Sequence, residues 1–480
     1  MITKKHITGL AFVLLFIVAN TILMLHEIYW LNLLPFVLLI AYSFFYFPEK
    51  LLYFLIFITP LSFIYKFEDF GISVSIPTEP IILTLMILFF LRYFIKGDYD
   101  KKILKHPISI AIYINLSWIL ITSVTSTMPL ISLKFFLSRL WFVTVFYFMI
   151  INLFKSEKSI KNFFWLFLTP LIFVIIFTIY KHHHFFFSHD YANKVTYPFF
   201  KDHTIYGAVI AMFLPVIGGF FVKNKILKLN KFQNAFALII TIILIAGVSL
   251  SYSRAAWISI VVAISFPLLF WLKIKFRGLI LILLISGFSI FIFWSQIIQP
   301  LRKNTSVSST DVSEQVKSIS NISTDASNAE RINRWNCAIR MFKEKPLFGW
   351  GPGTYMFKYA PFQLAKERTI ISTDFGNLGN AHSEYLGPLS ESGFLGMLSF
   401  LLLAFTVLYT GMKVYYKNNS SSFTKVMTIL LLMGFVTYLT HGILNNFLQT
   451  DKASVPFWGF IAIITAMDIY FNKQQKLEKL

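Results

Sequence analysis

Apolar residues run along this chain in long unbroken blocks, separated by short polar or basic stretches. The blocks fall near residues 7–25, 28–46, 50–65, 79–97, 107–126, 133–154, 162–180, 204–222, 233–251, 255–272, 277–297, 384–412, 424–445 and 455–471. A run of about 17–25 residues crosses a hydrocarbon core of about 30 Å as a helix. The pattern therefore predicts an all-α polytopic membrane protein. The third block is short and the first two are tightly joined, which sets the expected number at about 12–14 transmembrane helices. The strand-length alternation of a membrane barrel is missing.

The interruptions carry a second pattern. "RYFIKGDYDKKILK", "KSEKSIK", "KNKILKLNK", "KIKFR", "KVYYKNNSSSFTK" and the tail "NKQQKLEK" fall on one side of the predicted bundle, with the lysine pair near the start. The positive-inside rule assigns that side and both termini to the cytoplasm. The outward side receives "KFEDFGISVSIPTE", the segment from Lys181 to His203, the "SYSR" turn and one long insertion. Three regions are expected: N-terminal transmembrane helices over 1–297, a large outward loop over 298–383, and C-terminal transmembrane helices over 384–480.

Within the insertion, "NTSVSSTDVSEQVKSISNISTDASNAE" has too few large apolar groups to offset its ordering entropy and is expected to be mobile. "ERINRWNCAIRMFKEK" puts Ile332, Trp335, Ala338, Ile339 and Phe342 on one stripe of a short helix along the outer membrane face. "PLFGWGPGTYMF" then supplies turn chemistry before the chain returns to the helix near His382.

Composition narrows the class. At 56% hydrophobic and 14% charged residues, with a mean hydropathy of +0.68, a soluble chain of this length is excluded. The formal net charge of +21 sits in clusters between apolar blocks, which fits topology signals beside anionic lipid and gives no nucleic-acid footprint. A single cysteine, Cys337, excludes an internal disulfide and a multi-cysteine metal or iron–sulfur site. "MITKKHITGLAFVLLFIVANTIL" lacks a small-residue cleavage pattern and reads as a signal anchor.

Candidate chemistry gathers at the outward ends of the blocks. Arg254, in "LSYSRAAW", either snorkels to the interface or cradles a phosphate with Ser251, Tyr252 and Ser253. Arg331, Arg334 and Arg340 form either a solvated basic face or planar forks for phosphate oxygens, and the spacing of Arg331 and Arg334 puts both on one face. His382 is either a structural hydrogen-bonder or a base for a hydroxyl proton, and Glu384 is too near in sequence to share its helical face. "KDHTIYG" brings Lys201, Asp202, His203 and Tyr206 to another span end, suited to interfacial packing; His203, Tyr206 and Tyr385 join Ser253 and Arg334 as candidate substrate contacts. Consecutive His182, His183 and His184 point in different directions on a helix, so no metal site is expected. The chain has no Gly-rich phosphate loop with Lys, no zinc-helix signature and no nucleophile elbow.

"RINRWNCAIRMFKEKPLFGWGPGTY", followed by "NAHSEYLGPLSESGFLG", resembles the signature region of the O-antigen ligase and polymerase superfamily. The shared pattern is an Arg, a Trp, a Pro-Leu-Phe-Gly-x-Gly turn, then a His and a Glu-x-Gly-x-x-Gly run into a membrane helix. "SYSRAAW" is similar to the family's Ser-Arg-small-residue element, and the usual Asn after the His is Ser383 here. The resemblance spans the ordered elements from about Lys201 to Ala404.

It implies a fold similar to GT-C-type membrane glycosyltransferases, with one large periplasmic loop, in a bacterial inner membrane. It also implies transfer of a glycan from undecaprenyl diphosphate to an acceptor hydroxyl, without a metal or other cofactor. Arg254 and Arg331 would hold the diphosphate and His382 would assist the acceptor. The implied partners are the undecaprenyl-diphosphate-linked glycan, lipid A–core or another glycan acceptor, and membrane lipids. The single dominant outward loop favours a ligase over a polymerase or a protein O-oligosaccharyltransferase. A different class, a small-solute or bicarbonate transporter, would place polar groups near the bilayer midplane, where these blocks are largely apolar.

Overall fold

The computed structural model describes residues 4–67, 72–97, 99–293, 326–369, 372 and 379–471. Among the described residues, ten helices are long and apolar enough to cross a membrane: Thr78–Ile95, Pro107–Val124, Pro129–Leu153, Glu157–His183, His203–Val222, Lys231–Ser249, Arg254–Trp271, Leu386–Tyr416, Ser422–His441 and Asp451–Phe471. Leu10–Leu25, Leu31–Tyr46 and Phe276–Ser289 are shorter apolar helices. The chain is an all-α polytopic membrane protein. Its expected third span is corrected to a helix, Pro48–Ile58, that turns through Thr59–Leu61 into a strand. Pro60 cannot continue the helical hydrogen bonding. The strand Phe63–Phe67 pairs antiparallel with Ile72–Ile76 in the only sheet among the described residues.

The interior is aromatic. Phe164 packs edge-on against Phe213 and Phe220, and Phe167 stacks on Phe213 at 4.7 Å. Helices approach closely where a side chain is missing: a Cβ on Gly434 would lie 2.6 Å from the Met212 carbonyl oxygen. Large apolar side chains such as Phe94, Trp271 and Phe232 also face outward, as expected of helices whose solvent is lipid.

Side-chain contacts define the two ends of the bundle. At one end Thr78 meets Asp451, His203 meets Ser251, Ser253 meets His441, and Tyr385 meets Leu439. At the other, Lys413 and His106 meet Asp468, Lys228 meets Glu157, and Tyr416 meets Ile274. The second end carries the basic clusters.

The insertion helix forms over Ala326–Glu344. The expected mobile stretch over 304–325 lies outside the described residues. The buried face of the helix differs from the predicted stripe: Ile332 and Ala338 are buried, but with Asn333, Arg334, Cys337 and Met341 in place of Trp335, Ile339 and Phe342. The reason is polar cover. Asn333 donates to Gln363, the Cys337 thiol to the Phe362 carbonyl, and Arg340 pairs with Glu367. The segment after the helix therefore folds back over this face.

Candidate functional site

The frame begins at Asp202, whose carboxylate accepts the Thr204 and Ile205 N–H groups at 2.9 Å and caps His203–Val222. This cap places the His203 ring against the Ser251 carbonyl, to which Nδ1 donates at 2.6 Å. The Ser251–Ser253 turn comes that close because position 207 is glycine, where a Cβ would meet Ser251 Oγ at 2.7 Å. Tyr252 takes a left-handed φ of +50° and donates its hydroxyl to the Phe187 carbonyl. Ser253 caps the next helix by accepting the Ala256 N–H, and its hydroxyl lies 3.5 Å from His441 Nε2. Arg254, the first residue of that helix, is partly buried at the same lip.

Arg331 enters from the insertion helix. Its charge acts on three imidazoles from three elements: His203, His382 and His441. Arg334, three residues on, is engaged otherwise. Its Nε donates to the buried Glu330 carboxylate, and its guanidinium sits 4.2 Å from the centre of the Tyr359 ring. Glu330 also accepts from Thr369 and Ser372, so this pair ties the insertion to itself.

His382 has a left-handed φ of +48°, held by its N–H donating to the Asn380 side chain at 3.0 Å. Such strain in a non-glycine residue persists only where the surroundings over-determine it. The Asn445 amide engages the ring. Burial, and then the charges of Arg331 and Arg334, lower the imidazole pKa to about 4. The ring is thus neutral at pH 7. Ser383 accepts the N–H groups of Tyr385 and Leu386, so its hydroxyl caps the turn into Leu386–Tyr416.

The "PLFGWGPG" turn sets the height of the insertion helix. Trp350 and Gly351 donate their N–H groups to the Ser390 and Glu391 carbonyls, and the Phe394 N–H donates to Pro346. Those carbonyls are available because Leu386–Tyr416 breaks at Gly393, φ +70°. A Cβ on Gly349 would lie 2.3 Å from the Glu391 carbonyl carbon, at a φ of +67°. Trp350 O also accepts from Thr127 N–H and hydroxyl, locking the turn to the helix pair 107–143.

The structure thus gathers Arg331, His382, His203 and Ser253 at one lip, with Arg254 opening the Ser253-capped helix. Tyr206 lies in the core, edge-on to Phe200 at 5.4 Å. Tyr385 donates to the Leu439 carbonyl and packs on Phe400. His182 bonds the Ser188 carbonyl, and among the described residues no three His, Cys, Asp or Glu side chains group to hold a metal ion. At the basic end Asp100 caps Lys101–Leu104 and accepts from the Tyr470 hydroxyl. His441 and Asn445 also escape sequence reasoning. "HGILNN" at the end of an apolar block is the same signal that picks out His382. Arg139, buried within Pro129–Val143, is missed as well.

Fold and site together define a multi-pass membrane protein with a polar, arginine- and histidine-lined centre at one membrane lip. Residues 239–401 match the family model described as O-antigen ligase. The match covers about a third of the chain and contains Arg254, Arg331 and His382. Members of that family are membrane glycosyltransferase-like ligases and polymerases. An uncharacterized protein of Haemophilus influenzae is similar at 24% identity over 224 residues, covering 46% of this chain and 53% of that protein. The chain thus spans about half the length of that relative.

Proposed function

We propose that this protein is an O-antigen ligase-like glycosyltransferase of the bacterial inner membrane, moving a glycan from undecaprenyl diphosphate to an acceptor hydroxyl, with lipid A–core the favoured acceptor. The observation that carries this reading is the convergence of Arg331 on His382 at a membrane lip. A polyprenyl diphosphate needs its tail in lipid and its head at such a lip. The basic clusters at the opposite end support a periplasmic site under the positive-inside rule.

In this reading the acceptor oxygen attacks the anomeric carbon as the bond to diphosphate breaks. The electron pair leaves on the diphosphate, where Arg254 and Arg331 offset the growing negative charge. The acceptor proton passes to the neutral His382 ring. Alone, His382 is a weak base because it is buried and because Arg331 and Arg334 face it. A diphosphate seated on Arg331 cancels part of that positive charge and raises the basicity of the ring. Donor binding thereby prepares proton abstraction.

The test is transfer by purified protein in detergent, with a polyprenyl-diphosphate-linked glycan, EDTA, and either lipid A–core or no added acceptor. Product only with lipid A–core supports the ligase. Chain growth without it makes the protein a polymerase, and no turnover in either arm overturns glycan transfer.

A further inference from the structure

We infer that Glu384 is a positioning residue: it clamps the 442–448 segment so that Asn445 holds the His382 ring with its other nitrogen turned to the acceptor hydroxyl. The inference rests on the reading of His382 as the base of glycan transfer.

Glu384 grips that segment at both ends. Its backbone N–H donates to the Gly442 carbonyl at 2.8 Å. Its Oε1 accepts from the Phe447 N–H at 2.8 Å, the Leu448 N–H at 3.1 Å and the Tyr438 hydroxyl at 2.6 Å. Three donors on one oxygen fix the carboxylate in place. Arg139, buried in Pro129–Val143, adds its positive charge. Arg139 and Glu384 also line one cavity of about 30 Å³ with Glu391 and Asn115.

Between the two grips lies Asn445, buried, whose side chain acts on the His382 ring. With its oxygen as acceptor of an imidazole N–H, Asn445 would select one tautomer and leave the second nitrogen with its lone pair. Glu384 is only two residues from His382 and reaches it by way of a loop some sixty residues on. Sequence spacing alone hides this relation, because the two side chains diverge at the start of the helix. An amide is also the fitting partner. A carboxylate at 445 would hold the ring charged, whereas Asn leaves it neutral. The other charged groups facing His382 are Arg331 and Arg334 from the insertion helix and Asp202 from the start of His203–Val222. His203 and His441 feel the same Arg331.

The test is a histidine NMR titration of the full-length protein in detergent, with His382 assigned by H382Q, on wild type, N445D, E384A and the double variant. The carboxylate of N445D should raise the His382 midpoint from about 4 by at least about one pH unit. In the E384A background that rise should disappear. An equal rise in both backgrounds overturns the role of Glu384, and no rise in either overturns the Asn445 contact. Should E384A fail to fold, Tyr438→Phe, which removes one donor to Glu384, should reduce the rise; an undiminished rise overturns the proposal. Transfer assays on the same chains keep the two readings apart. E384A should lower kcat while leaving the donor KM within about twofold. A wild type that shows the titration pattern but no transfer defeats the proposed function and leaves the positioning intact.

Discussion

Two buried polar clusters sit at the same end of the bundle, and they differ in how completely they are closed. In one, Asp451 accepts from Ser62 and Thr78 at 2.6 Å, and Lys452 donates to the Thr59 and Ser62 carbonyls while lying over the Phe200 ring. Every charge there has a fixed internal partner, so the cluster clamps the N-terminal helices to Asp451–Ala466. In the other, His203, His382 and His441 face a common Arg331, and His441 Nδ1 is buried without a hydrogen-bond partner among the described residues. A closed cluster stabilises; under the proposed function the other, with a buried imidazole nitrogen left over, receives the diphosphate head.

That contrast breaks if function and stability follow the wrong cluster. Arg331→Ala or His382→Ala should reduce glycan transfer by about 10²–10⁴-fold with little change in melting temperature. Lys452→Met should do the reverse: removing one partner of a buried pair costs about 3–5 kcal/mol, read as a lowered melting temperature, while transfer per folded molecule persists.

Acid should sharpen the comparison. Transfer measured as kcat/KM should fall about tenfold per pH unit below about 4, where free His382 becomes protonated. In kcat the same limb should lie at higher pH, because bound diphosphate raises the ring's basicity. Stability carries the matching sign. The folded pKa lies below the ordinary imidazole value of 6.5, so the unfolded chain binds more protons between about 4 and 6.5. The His382 contribution is therefore full above that window and is lost as pH falls through it. The smallest effect expected is that of Ser383→Asn, under about threefold on transfer, because Asn can accept the same two backbone N–H groups that Ser383 now caps.

The polytopic fold was legible because lipid demands apolar runs of fixed length. The span expected over 50–65 is instead a shorter helix because the apolar run continues past Pro60 into Phe63 and Ile64, which form a strand. In the site, Arg254, Arg331 and His382 stood out as polar groups at block ends. Their partners did not. Asn445 reaches His382 only because Ser422–His441 and Leu386–Tyr416 lie side by side, and no local pattern records that packing. Arg331 and Arg334 look equivalent on a helical wheel, yet Glu330 at the i−4 position claims Arg334.

The central claim is that a diphosphate head seats on Arg331 beside His382. It is tested most directly by titrating His382 by NMR with and without undecaprenyl diphosphate, in wild type and Arg331→Ala. The account predicts that the lipid raises the midpoint above about 4 in wild type and leaves it unmoved in Arg331→Ala. A midpoint insensitive to the lipid in wild type, or equally raised in both, would contradict it.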